Sequence, residues 1–420
     1  MIPLWRSRTI QLLVAGQCVS TVGDSIFAVA LPWYIISHNG NAILLTLAVM
    51  AYGIPRAAMI VVGGQLSDKY GPRRVMVGTD VVRAVLVGLL GVIATGSELN
   101  VPIVILISCG IGASEGLFLP ASFALMPTLV REEQFAAGNG LLFAATRLAA
   151  FAGPAIGGLV VGSGGAALAF SLDAATFAFS GLTLWRLGAY GATAEAGRRT
   201  QAHIAPVGAG TNTLEQASAP GSFLSFLRSE RVLWYLMSIF VLSNVAVGGI
   251  DTVALPIFSH DALGLDSLGY GAVLACLGGG EFVGSLLAAR LSGGRRPNMT
   301  SALSFLVCAF TVLALAQVTL FVAACVLLSL CGVLLAYGNV ISQTAIQRWT
   351  PTEFLGRVSG LVLASSFGTL PIAAAFAGGL VEKWGSQTYF VVAGSIFGVA
   401  QVFALSLRSV RNFGLSKVNV

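Results

Sequence analysis

The chain has 420 residues, of which 56% are hydrophobic and only 10% are charged. A soluble domain carries about 25% charged residues, so this composition, with a mean hydropathy of +0.87, excludes an ordinary soluble protein. The net charge of +6 does not point to nucleic acid, because the basic residues are spread over short loops between apolar runs.

The N-terminus is short and basic (Arg6, Arg8) and then apolar. No cleavage site follows, so the first helix is expected to stay as an anchor. A spanning helix needs about 20 apolar residues. On that measure the sequence predicts twelve helices: 11–37, 42–66, 75–96, 101–126, 137–162, 165–187, 231–258, 268–291, 299–317, 319–345, 357–381 and 386–408. The expected fold is an all-α membrane protein of two six-helix bundles, 1–187 and 231–408. Residues 188–230 are rich in Ala, Gly, Thr and Ser and read as a flexible cytoplasmic linker. Residues 409–420 read as a cytoplasmic tail. With odd helices running outward, nineteen basic residues fall on the cytoplasmic side and only Lys383 falls outside. That asymmetry predicts both termini inside. The remaining three, Arg56, Arg83 and Arg147, lie within helices.

Between the second and third helices lies Gly64-Gln65-Leu66-Ser67-Asp68-Lys69-Tyr70-Gly71-Pro72-Arg73-Arg74. Gly64 and Gly71 permit close packing and a sharp reversal. Asp68 is placed to pair with an Arg or to face a helix N-terminus. This loop resembles the G-x-x-x-D-R-x-G-R-R loop of the major facilitator superfamily of secondary transporters. Lys69 takes the first basic place and Pro72 replaces a basic residue, while Arg73 and Arg74 keep the charge. The halves also echo each other: Ala30-Leu31-Pro32 returns as Ala254-Leu255-Pro256, and the loop returns in degraded form at Gly293-Gly294-Arg295-Arg296. Internal repetition marks many transporter folds, and the resemblance implies the major facilitator fold with its twelve helices in two pseudo-symmetric bundles.

The fifth helix carries Gly140, Ala149 and then Gly153-Pro154-Ala155-Ile156-Gly157-Gly158. Pro154 removes a backbone donor, and the small residues let a neighbouring helix approach. The stretch resembles the antiporter motif of the same superfamily, with Ala149 in place of the middle glycine. Phe118 to Ser122, Asn139-Gly140, Leu172 to Phe177 and Gln347 to Arg357 resemble the macrolide-efflux and siderophore-exporter group. The resemblance implies export of amphipathic small molecules by proton antiport, by a monomer in a bacterial cytoplasmic membrane.

Each charge within a helix needs a reason, since it costs about 2.5–3.5 kcal/mol at mid-bilayer on insertion scales. Asp24 lies halfway along the first helix, where similar exporters use an acid for proton coupling or cation recognition; a structural acid is the alternative. Glu115 and Arg147 lie at similar depth on the fourth and fifth helices. They form a coupling pair, a static pair or no contact. Asp80 and Arg83 share a face of the third helix, with a structural or gating role beside Asp68. Arg56 is a candidate partner for Asp24. Glu281, after three glycines, is a candidate cavity residue, and Asp251 reads as a gate or rim residue. Trp33, Tyr34, Trp185 and Tyr190 fall where interfacial belts are expected.

No helix clusters acids or histidines, so neither a metal site nor a cofactor is expected, and six scattered cysteines read as small hydrophobes. The competing readings are an importing symporter and a membrane-embedded lipid-modifying enzyme. The first would need more polar central helices, and the second would need a His/Asp or carboxylate cluster. The absence of a G-x-x-x-x-G-K-[ST] loop excludes an ATP-driven pump on this chain. The expected partners are a small-molecule substrate, protons and the lipid bilayer.

Overall fold

The computed structural model describes residues 7–38, 40–96, 98–130, 134–202, 231–291, 297–350 and 355–408. Ten helical stretches are long and apolar enough to cross a membrane. Two of them, Phe135–Ala202 and Leu355–Ser406, have 68 and 52 residues, far beyond one crossing. Each is broken at a glycine with positive φ, Gly165 at 71° and Gly385 at 81°. Division at these glycines gives twelve segments. They are α1 (Arg8–Ser37), α2 (Ala42–Tyr70), α3 (Pro72–Ile93), α4 (Val101–Leu129), α5 (135–164) and α6 (166–202) in the first half. The second half holds α7 (231–262), α8 (Ser267–Leu291), α9 (Pro297–Leu315), α10 (Phe321–Trp349), α11 (355–384) and α12 (386–406).

Polar side chains mark the starts of two helices. Asn41 accepts a hydrogen bond from the Leu44 amide, and Asn100 accepts one from the Ile103 amide. Gly71, at φ 86° and ψ 141°, makes the reversal between α2 and α3, in a backbone region that is essentially open only to glycine. Residues 188–202 continue the α6 helix to Ala202. The rest of the expected linker, 203–230, lies outside the described residues, as do the tail 409–420 and the Arg295-Arg296 turn.

The helix α7 is irregular. Arg231–Val247 is α-helical, Gly248 and Gly249 form a turn, and wide π turns follow at Ile250–Ala254 and Phe258–Ala262. His260, just past the predicted end of the seventh helix at 258, lies in the second π turn.

A buried cluster runs through both halves, with Val29, Tyr34, Phe170 and Phe177 on one side and Phe258, Tyr270 and Phe390 on the other. The halves meet along α2 with α11 and along α5 with α8. Their contacts run from mid-helix, as at Gly53–Pro371 and Phe151–Phe282, to the end opposite the 64–74 loop. There Asn41 Nδ2 donates to Glu382 Oε1 at 3.1 Å. Thr46 donates to the Ala374 carbonyl nearby. On the other seam, a Cβ on Gly158 would lie 2.8 Å from the Ser267 carbonyl and 3.1 Å from Gly271 Cα. Trp33 stacks on Tyr270 at 6.2 Å and meets His260 edge-on. Trp33 and Tyr34, expected in an interfacial belt, therefore pack inside the protein, with Tyr34 only 1% exposed.

Candidate functional site

The first group of charges forms where α2 and α4 touch. Side chains at Gly112 and Gly116 would collide with the carbonyls of Tyr52 and Arg56. Only glycine lets the two backbones come this close. The approach sets Glu115 beside α2, where Tyr52 and Arg56 lie one helical turn apart. Arg56 Nη2 lies 2.9 Å from Glu115 Oε1. The Tyr52 hydroxyl donates to Glu115 Oε2. The Arg56 guanidinium also lies 4.3 Å from the ring centre of Phe367, which belongs to the other half.

This geometry selects the no-contact alternative for Glu115 and Arg147 and gives Arg56 a partner other than Asp24. Glu115 is held by Arg56, and among the described residues no ion pair joins it to Arg147. Arg56 pairs with Glu115 in preference to Asp24. The sequence reading matched Glu115 and Arg147 by depth alone, and depth does not say which faces meet. Arg147 is exposed and lies within electrostatic reach of Glu281.

Asp24 is exposed although it sits midway along α1. It lies within electrostatic reach of Arg83, Glu115, Asp80 and Arg56. Behind it, a Cβ on Gly23 would strike Thr176 and Asp173 of α6. Asp173 is fully buried and accepts a hydrogen bond from the Thr176 hydroxyl at 3.2 Å through Oδ1. Its Oδ2 has no partner among the described residues.

Asp80 and Arg83 pair within α3 at 2.5 Å, with side chains 0% and 3% exposed. Arg83 lies between the rings of Phe118 and Phe177, at 4.3 and 4.4 Å from their centres. The pair is built into the core between α3, α4 and α6. It does not join Asp68, which is exposed and has no ion pair among the described residues.

In the 64–74 loop, Arg73 donates to the carbonyls of Leu184 and Trp185, which ties the loop to α6. Lys69 lies over the Tyr70 ring and is exposed, as is Arg74. Gly64 has open space where a Cβ would sit. The tight packing expected there falls one residue earlier, at Gly63, where a Cβ would lie 2.7 Å from Leu117 Cα.

The fifth-helix motif divides between two neighbours. Gly153 faces Ser25 and Gly157 faces Ile26 and Val29, all on α1. Gly158 faces α8, and Gly271 returns the approach with its missing Cβ 2.6 Å from the Pro154 carbonyl. Gly140 faces open space. Pro154 is inside the helix, and the break in this stretch comes at Gly165.

The second half repeats the α2–α4 arrangement with the acid on the other helix. Gly280 and Gly284 of α8 would meet the carbonyls of Ser329 and Val333 on α10, and Gly332 faces Leu277 and Glu281. Glu281 lines a cavity of about 280 Å³. Asp251, expected at a rim, lines the same cavity. It is exposed, and it opens the first π turn of α7. Sequence reasoning missed Tyr52, Phe367 and the carboxamides of this cavity. Tyr52 was signalled by its position four residues before Arg56, and Asn244, Asn339 and Gln401 were signalled as amides inside apolar helices.

The family model described as Major Facilitator Superfamily matches residues 13–337 and 253–418. The chain belongs to this superfamily, and it is a multi-pass membrane transporter rather than an enzyme. The multidrug efflux pump Tap of Mycolicibacterium fortuitum is 27% identical over 94% of this chain and 96% of its own length. The enterobactin exporter EntS of Salmonella paratyphi A is 25% identical over 87% and 84%. Among solved structures, a bacterial homolog of the human lysosomal transporter Spinster, inward-facing and occupied, superposes with TM-score 0.71 at 12% identity, covering 97% of each chain. The nucleoside transporter NupG superposes at 0.70 with 13% identity, covering 95% of this chain and 99% of its own. These two likenesses concern the fold.

Proposed function

We propose that this transporter exports amphipathic small molecules from the cytoplasm of a bacterium by proton antiport, with the two halves rocking about a central site. Both termini face the cytoplasm, and the working unit is the monomer. The observation that carries the reading is Asp24. It is an acid halfway through a spanning helix, it is exposed, and it lies within electrostatic reach of Arg56, Glu115, Asp80 and Arg83. An intramembrane acid with access to water is suited to take a proton from one side and release it on the other. The names of the relatives, an efflux pump and an exporter, support the outward direction.

In this reading the contacts at Asn41–Glu382, Trp33–Tyr270 and Gly158–Gly271 close the outer side. The test is proton flux in liposomes holding purified protein, with ethidium as the transported probe, wild type beside Asp24→Asn. Ethidium-evoked proton movement that is lost in the variant supports antiport through Asp24. Ethidium movement indifferent to an imposed pH gradient overturns it.

A further inference from the structure

Among the described residues, the cavity of about 280 Å³ is lined only by the second half, from α7 to α12. It is therefore separate from the Asp24 and Glu115 group on the first half. Among the described residues its lining holds two carboxylates, Asp251 and Glu281, and no Lys, Arg or His. Carboxamides surround them: Asn244, Asn339, Gln343 and Gln401. The Gln401 amide donates to the Ser243 hydroxyl at 3.2 Å, and the Ser301 and Ser342 hydroxyls meet at 2.6 Å, so this polar wall is ordered by its own contacts. Phe305 and Phe397 supply an apolar wall, with ring centres 5.8 Å apart.

The backbone at this place is interrupted. The α-helix stops at Val247, and the π turn starts at Ile250 with Asp251 in its first turn. Such wide turns occur preferentially at functional sites, and broken spanning helices commonly bound the binding site of a transporter. Gly249 fits here because a Cβ would lie 2.8 Å from the Tyr389 hydroxyl and 2.9 Å from the Ala373 carbonyl. The irregular stretch is thus held against α11 and α12.

We propose that this cavity binds a protonated amine that carries an apolar ring, with Asp251 and Glu281 as its counter-charges and Phe305 and Phe397 against the ring. The volume suits a small organic molecule and far exceeds a bare metal ion. Two carboxylates with no cation among the described lining residues disfavour an anion such as a deprotonated catechol acid. Arg147 acts on Glu281 from the first half but is exposed and does not line the cavity. Neither Asp251 nor Glu281 has an ion pair among the described residues. This inference deepens the export reading by naming a substrate class.

Binding is measured apart from transport, by calorimetry on the purified full chain in nanodiscs. The probes are 4-phenylbutylamine, the matching neutral alcohol 4-phenylbutanol, and 2,3-dihydroxybenzoate. The amine is expected to bind about tenfold or more tightly than the alcohol, and the benzoate is expected not to bind. Asp251→Asn is expected to weaken amine binding about tenfold while leaving the alcohol unchanged. Ala302→Phe, which fills the cavity from α9, is expected to abolish both. Should Asp251→Asn fail to fold, Glu281→Gln decides by the same amine-to-alcohol ratio. Equal affinity for amine and alcohol, tighter binding of the benzoate, or amine binding that survives Ala302→Phe overturns the proposal. Proton flux with ethidium in the absence of any amine binding sinks this inference and leaves antiport standing. Charge-selective amine binding without proton flux does the reverse.

Discussion

Arg56 bonds Glu115 within the first half and lies 4.3 Å from the ring centre of Phe367 in the second half. One side chain thus links an intramembrane acid to the seam between the halves. Protonation or substitution of Glu115 removes the charge that holds the guanidinium in place. The exposures of 15% and 23% leave both partners some access to water, so the pair is worth less than a fully buried one.

Glu115→Gln is expected to destabilise the protein by on the order of 1–2 kcal/mol. It is also expected to lower transport more than stability accounts for. A double-mutant cycle with Arg56→Met, read by thermal unfolding in detergent, isolates the pair. A coupling energy near zero would show that the contact in this state carries nothing.

The Asp80–Arg83 pair should behave differently. It is 0% and 3% exposed, and two aromatic rings enclose the arginine. Asp80→Asn leaves Arg83 charged in that enclosure. The expected cost is about 3–5 kcal/mol, seen as poor folding yield and a lowered unfolding temperature. Asp80→Asn combined with Arg83→Met is expected to recover much of that stability. A single variant as stable as wild type would refute the structural role.

The helices and the main turn were readable in the sequence because lipid imposes a ruler of about 20 residues and loop charges report sides. Gly165 and Gly385 fell close to the predicted gaps between helices for the same reason. The intrahelical pair of Asp80 and Arg83 was readable from its spacing of three. The partner of Glu115 was not, because depth along two helices leaves their rotation undetermined. What turned Glu115 toward Arg56 was a pair of glycines, Gly112 and Gly116, that bring α4 onto α2. The cavity beside Asp251 was hidden because the π turns displace residues that a regular helix would place elsewhere.

Gly71 offers a test of the loop independent of transport. Its φ of 86° with ψ of 141° is open to glycine and strained for any side chain. A Cβ there meets nothing within 4 Å, so strain is the only penalty. Gly71→Ala is expected to cost about 1–3 kcal/mol, measured by thermal unfolding. Gly64→Ala serves as the comparison, since Gly64 also has open space but lies in regular helix. It is expected to be neutral or slightly stabilising. Equal effects at the two sites would deny Gly71 its special role.

The seam at the end opposite the 64–74 loop can be tested by cross-linking. Asn41 and Glu382 are within hydrogen-bonding distance in this state, at 3.1 Å. Cysteines at these two positions, in a background lacking the native thiols, are expected to be bridged rapidly by a short bifunctional thiol reagent, which spans the distance that the longer Asn and Glu side chains cover. A bulky residue at the second seam should pry the same end apart. Gly158 faces the backbone of α8 with no room for a side chain, its Cβ position 2.8 Å from the Ser267 carbonyl. Gly158→Leu is therefore expected to slow the Asn41–Glu382 cross-link several-fold and to reduce transport with it. Rocking of rigid halves requires this coupling, because α2–α11 and α5–α8 are the two seams of one interface. An unchanged cross-linking rate, with transport still lost, would mean that Gly158 acts locally and that the two seams open independently.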